Sequence, residues 1–190
     1  MIFFTADTHF YHSNIIHSCN RPFKDASEMN SVMIDKWNSY VTDQDEIYVL
    51  GDFLYKASAR EANEILSRLK GRKYLIKGNH ERYLEDPHFN VNAFKWIKDY
   101  YILKGEKRID IVLFHFPMLS WYKSHYGSIH LYGHVHNNET KNPEFGEKLQ
   151  SLGPRAINVG VDVNDFYPVS IKSIMDRVEN NKNNAQKGEK

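Results

Sequence analysis

The sequence predicts an α/β fold, an αββα sandwich of two mixed β-sheets flanked by helices. Three observations lead there. In the first half, short apolar runs alternate with amphipathic stretches, the pattern of parallel strands joined by helical crossovers. The second half is richer in short apolar runs than in helical stripes. Finally, strand after strand stops at a short polar cluster, and in α/β folds ligands sit beyond the carboxyl ends of strands.

Taken in order, Ile2–Ala6 reads as a buried strand ending at Asp7. A helix is expected to begin near Ser13. Residues 26–41 carry Met29, Val32, Met33, Trp37, Tyr40 and Val41 at helical spacing, with Asp25 and Glu28 forming a capping box. Glu46–Leu50 is a second strand, stopped by Gly51-Asp52. Ala59, Ala62, Ile65, Leu66 and Leu69 make another helical stripe, with Gly71 expected as its C-cap. Lys73–Lys77, Tyr100–Leu103, Ile109–Phe114, Ile129–Tyr132, Ala156–Val161 and Val169–Ile171 read as further strands, the last followed by a short helix or turn. One domain over residues 1–178 is expected, then a polar, disordered tail over 179–190.

A formal net charge of +1 gives no field that would draw a long polyanion, so long nucleic acid is not an expected partner. The single cysteine, Cys19, excludes an intrachain disulfide and any cysteine-based structural zinc site. Cys19 itself reads as a small packing residue. The start lacks the basic segment and long apolar core of a signal peptide, and no apolar run approaches a membrane span. A cytoplasmic protein with no membrane partner is expected.

The polar clusters at the strand ends are Asp7-x-His9, Gly51-Asp52, Gly78-Asn79-His80, His115 and His134-x-His136. An HxH pair alone is a weak signal, although imidazoles at i and i+2 of an extended segment point the same way. Together, Asp7, His9, Asp52, Asn79, His115, His134 and His136 offer only oxygen and nitrogen, which suits borderline divalent ions. Seven donors exceed one tetrahedral site. They fit two metals roughly 3.5–4 Å apart sharing a carboxylate. Glycines 51, 78 and 133 would let the following residue turn into the site.

This order of motifs, Asp-x-His, Gly-Asp, Gly-Asn-His-Glu, a lone His after a strand and Gly-His-x-His, resembles the calcineurin-like metallophosphoesterase family, from Thr5 to Asp162. The stretches DTHFYHSNII, NRPF and KWNSYV with VLGD look like a compact bacterial or phage branch of it. The resemblance implies the metallo-dependent phosphatase fold. It implies that Asp7, His9 and His136 hold one metal, that Asp52 bridges, and that Asn79, His115 and His134 complete the second. Manganese is the first expectation, with iron(II), zinc, nickel or magnesium as alternatives. His80 resembles the family's catalytic histidine, protonating the leaving oxygen of a phosphoester attacked by metal-activated water. Asp52 shares in catalysis as the bridge.

Gly51-Asp52 continues Phe-Leu-Tyr-Lys56, without the Asp-Arg of phosphoprotein-phosphatase relatives. Lys56, Arg82 or His12 would have to contact the substrate instead. A phosphodiester or small phosphorylated metabolite, such as a nucleotide or cyclic nucleotide, is therefore expected over a phosphoprotein. The alternatives are a non-catalytic metal-binding module on the same fold, or a nuclease. The oligomeric state is left open.

Among the remaining residues, His12 either lines the pocket or caps the helix after it. His17, His88 and His125 read as surface or loop residues, and His130 as packed in a strand. Tyr122, Lys123 and Tyr126 form a substrate wall or, as expected, a solvated loop. Asn158–Asp162 is expected to support the site loops from behind, without chemistry of its own.

Overall fold

The computed structural model describes residues 1–105 and 109–188. Two mixed sheets form the centre. The first contains β1 (Ile2–Thr5), β2 (Glu46–Leu50), β3 (Arg72–Ile76), β4 (Ile97–Lys98) and β9 (Val169–Ser170), in the order β4-β3-β2-β1-β9. The second contains β5 (Tyr100–Lys104), β6 (Asp110–Phe114), β7 (Ile129–Tyr132) and β8 (Ala156–Asn158), in that order. Among the described strands only β9 against β1 and β5 against β6 are antiparallel. Strands β1, β2 and β3 therefore end on the same side, as do β6, β7 and β8.

Alternation along the strands explains the layering. Phe4, Tyr48, Leu50 and Ile76 share one buried cluster with Ile111, Leu113, Ile129, Leu131 and Ile157 of the second sheet. Phe3, Ile47, Val49 and Leu75 point the other way. They meet α2 (Ala26–Tyr40) and α3 (Ala59–Arg68) through Met29, Met33, Trp37, Ala62 and Ile65. A short helix α1 (Ser13–Ser18) buries Ile15 and Ile16 beside them. Removing a fully buried ring such as Phe4 from such a core costs roughly 3–5 kcal/mol.

Several local expectations are corrected. Asp25 caps α2 by accepting from Glu28 N, but the Glu28 carboxylate accepts from Lys24 N rather than closing a box on Asp25. The reciprocal box occurs instead at α3, between Ser58 and Glu61. Gly71 is not the C-cap of α3. Leu69 is, and Gly71, at φ +91°, turns the chain into β3. The last carbonyls of α3 and the link after it are met by Asn38 Nδ2, Trp37 Nε1 and Lys73 Nζ. The two short helices α4 (Asn138–Lys141) and α5 (Pro143–Gln150) were not predicted, although Asn142 as cap and Pro143 at the first turn signal the second. β8 stops at Asn158 and the chain passes into a 3₁₀ turn at Val161–Val163. The last element is not a short helix but α6 (Ile171–Gly188), which runs through most of the stretch expected as a disordered tail. Ile174 and Val178 anchor it in the core. No helix among the described residues is long and apolar enough to cross a membrane.

Candidate metal centre

The loops after β1, β2, β3, β6 and β7 bring the expected donors to one place. Two sets form, each with ligand atoms within 4.8 Å of one another: Asp7, His9 and His136, and Asp52, His115 and His134. Asn79 joins the second set, its Oδ1 lying 3.2 Å from His115 Nε2 and 3.1 Å from His134 Nδ1. Asp52 faces both sets. Its Oδ2 is 3.4 Å from His9 Nε2, 3.6 Å from His115 Nε2 and 3.9 Å from His80 Nε2. Its Oδ1 accepts from the backbone of Asn79 and His80.

The backbone shows what this convergence requires. Asp7, His9, Asp52, His134 and His136 all have positive φ, between 48° and 70°. Each such residue costs of order 1–3 kcal/mol, and strain of this kind clusters at functional sites. The role expected of the glycines is thereby corrected. Of the three only Gly51 has positive φ, next to a left-handed Asp52; after Gly133 the donor His134 takes the left-handed turn, and neither Gly78 nor Asn79 does. Gly78 and Gly133 serve close approach, since a Cβ on Gly78 would collide with Asp52 Oδ1 and one on Gly133 would lie 2.5 Å from Asp7 Oδ2.

The electrostatics call for cations. Asp7 and Asp52 are almost wholly buried, and the described hydrogen bonds of Arg21 reach the Asp7 backbone carbonyl rather than either carboxylate. Burial pushes the Asp7 carboxyl up to about 7; His136 opposes this and the Asp52 carboxylate adds to it. Burial, with His136 next, holds His9 far below the usual imidazole range. Burial also lowers His115 and His134, against the pull of Asp52. His136 goes the other way: burial would lower it, but Asp162, Cys19 and Asp7 raise it to about 10. His9 Nε2 is buried without a hydrogen-bond partner although it points at a carboxylate. Buried polar atoms are normally paired, and this one has the lone pair a divalent ion would take. Buried carboxylates, the lowered imidazoles of His9, His115 and His134, and an orphaned nitrogen fit two divalent ions of the borderline class.

The other predicted residues are placed as follows. His80, about a third exposed, stands at the mouth beside Asp52. His12 sits at the N-cap position of α1 but its side chain makes no capping hydrogen bond; its Nδ1 lies 3.4 Å from His9 Nδ1, and burial followed by Arg21 lowers it to about 4. It therefore lines the site. Lys56 lies at the rim with Nζ over the Tyr55 ring. Arg82 is exposed at the start of a 3₁₀ turn, and nothing among the described residues ties it to the donors. Tyr126 is exposed and Lys123 pairs with Asp110, so that segment is a solvated loop. His130 is fully buried in β7, as expected.

Three residues near the donors were missed, Tyr55, Phe116 and Arg21, while Asp162 was expected only as support from behind. Tyr55 stacks on His12 at 3.7 Å and meets His80 edge-on. Phe116 packs edge-on against His115 and His134. Arg21 and Asp162 lie behind the first set, with Asp162 Oδ2 accepting from His136 Nδ1. Cys19, His136 and Asp162 also come close enough to hold an ion, but both Asp162 oxygens are already engaged by Arg21. Asn158 does support the loop, donating to the His136 carbonyl.

No protein-family model matches the chain. It is 36% identical over 184 residues to the uncharacterized protein MJ1445 of Methanocaldococcus jannaschii, covering 95% of this chain and 93% of that one. The chain belongs to the family of MJ1445. It is also 24% identical to the Gene 66 protein of Mycobacterium phage L5, over 84% of this chain and 85% of the phage protein. Among solved structures it resembles the protein of unknown function AQ665 from Aquifex aeolicus, with a TM-score of 0.69 and 28% identity, covering 93% and 98% of the two chains.

Proposed function

We propose that this protein is a dinuclear metal-dependent phosphoesterase with the metallo-dependent phosphatase fold, acting on phosphodiesters or small phosphorylated metabolites. The observation that carries the proposal is the position of Asp52 Oδ2, within 3.6 Å of an imidazole from each donor set. That is the disposition required of a carboxylate shared by two ions.

Asp7, His9 and His136 would hold one divalent ion, Asn79, His115 and His134 the other, and Asp52 both. Manganese fits, as do iron(II), zinc, nickel and magnesium. Two such ions supply an activated water at neutral pH and neutralise phosphoryl charge. The chain itself supplies the rest. His80 holds a proton at the mouth of the site for the leaving oxygen. Lys56 and His12 offer charge and hydrogen bonds at the rim, where the substrate phosphoryl would enter. Exposed Arg82 does not support the substrate role expected of it. The near-neutral chain favours small substrates over long nucleic acid.

The test is hydrolysis of bis-p-nitrophenyl phosphate and p-nitrophenyl phosphate with Mn²⁺, with and without chelator. Turnover that needs Mn²⁺, stops with chelator and favours the diester is expected. Metal-independent turnover, or none with any of the five ions, contradicts the proposal.

A further inference from the structure

Behind the first donor set lies a buried charged layer to which the phosphoesterase proposal gives no role. Arg21 and Asp162 have side chains 0% and 1% exposed. Arg21 Nε and Nη2 donate to the two Asp162 oxygens at 2.8 and 2.9 Å. The same guanidinium reaches the carbonyls of Asp7 at 2.8 Å and Thr8 at 2.9 Å, and Met29 Sδ at 3.4 Å. Asp162 Oδ2 in turn accepts from His136 Nδ1 at 2.8 Å. One ion pair thus ends on two donors of the first set, Asp7 through its backbone and His136 through its ring.

The second set is backed differently. His115 Nδ1 donates to the carbonyl of Leu50 at 2.8 Å, an uncharged partner.

We propose that Arg21 and Asp162 are positioning residues for the first cation alone. The inference rests on the two-cation proposal above. Its physics is that of a carboxylate behind a ligating histidine. The proton is fixed on Nδ1, the lone pair on Nε2 is aimed forward, and its basicity rises. Asp162 can serve there only because Arg21 compensates its buried charge, since an unpaired buried carboxylate is costly. Arg21 also pins the left-handed turn at Asp7, so the two donors keep a fixed spacing.

The experiment is calorimetric titration of metal-free protein with Mn²⁺, for wild type, Asp162→Asn and Arg21→Lys. Asp162→Asn keeps the shape and an acceptor for His136 but removes the charge. One of two Mn²⁺ sites should weaken about 10–100-fold while the other stays within about 3-fold. In a His115→Gln background, which leaves the first set whole, Asp162→Asn should weaken the remaining ion by the same factor. Equal affinities in wild type and variant, or parallel loss at both sites, overturns the inference. If Asp162→Asn does not fold, Arg21→Lys must show the same selective loss, and unchanged binding there overturns it. A wild type that takes up a single ion contradicts the two-cation proposal instead. The inference is then decided by whether that ion weakens in Asp162→Asn.

Discussion

His9 Nε2 lies 3.4 Å from Asp52 Oδ2, yet no hydrogen bond joins them. The two residues come from different strand ends, 43 positions apart, and belong to different donor sets. A buried imidazole that aims an unpaired nitrogen at a carboxylate is expensive by about 1–3 kcal/mol unless something bonds to both. On the two-cation proposal a divalent ion would do so, and Asp52 would be the residue on which both halves of the site depend.

Asp52→Ala should therefore abolish binding of both ions, and with it all turnover, while the rest of the network stays in place. Mn²⁺ stoichiometry by calorimetry together with the diester assay checks this. A variant that still binds two ions at wild-type affinity would show that Asp52 does not bridge.

His80 stands apart from the metal-binding role. Its backbone N–H donates to Asp52 Oδ1 while its ring sits at the mouth, edge-on to Tyr55. His80→Ala should keep both ions and lose on the order of 10²–10⁴ in rate. Comparable kcat in variant and wild type under saturating Mn²⁺ removes the proton-donor role.

Gly78 is packed against the bridging carboxylate, with room for no Cβ. Gly78→Ala should destabilise the fold by about 1–3 kcal/mol and weaken Mn²⁺ binding through displacement of Asp52. Urea unfolding and metal titration on the same preparation test the pair of effects. An alanine variant indistinguishable from wild type in both would mean the approach is looser than described.

His130 gives the pH prediction. It is fully buried in β7, where Nε2 accepts from Met118 N and Nδ1 donates to the Val112 carbonyl. Burial lowers it to about 4, against the backbone partners. Its folded pKa lies below the unfolded value of about 6.5, so the unfolded chain takes up a proton first as pH falls. The stability it protects is complete above about 6.5 and is lost from there down to about 4, on the order of 3 kcal/mol in all. His130→Gln should be less stable at neutral pH and show a flatter loss between 6.5 and 4 in urea titrations of metal-free protein. Parallel curves for the two proteins contradict this.

The donor residues were legible in the sequence because each follows an apolar strand and each is a residue type with little other reason to be there. Strand periodicity likewise located β1, β2, β3, β6 and β7. Of the clamp, Asp162 was legible only as support behind the loops, and its pairing with Arg21 was not. Arg21 and Asp162 lie 141 positions apart, and neither interrupts a pattern. The polar run after Glu179 reads as unstructured on composition, yet a helix anchored at Ile174 and Val178 propagates into it, because extension costs far less than nucleation. The glycine roles were misread for a related reason. Spacing shows where a tight turn falls, but not whether the glycine or the ligand beside it takes the left-handed conformation.

The most direct measurement is the number of Mn²⁺ ions bound per chain by wild-type protein, from calorimetric titration of metal-free material. Two ions per chain, falling to none in Asp52→Ala, is the predicted result. A single ion, or two that persist without Asp52, contradicts the account.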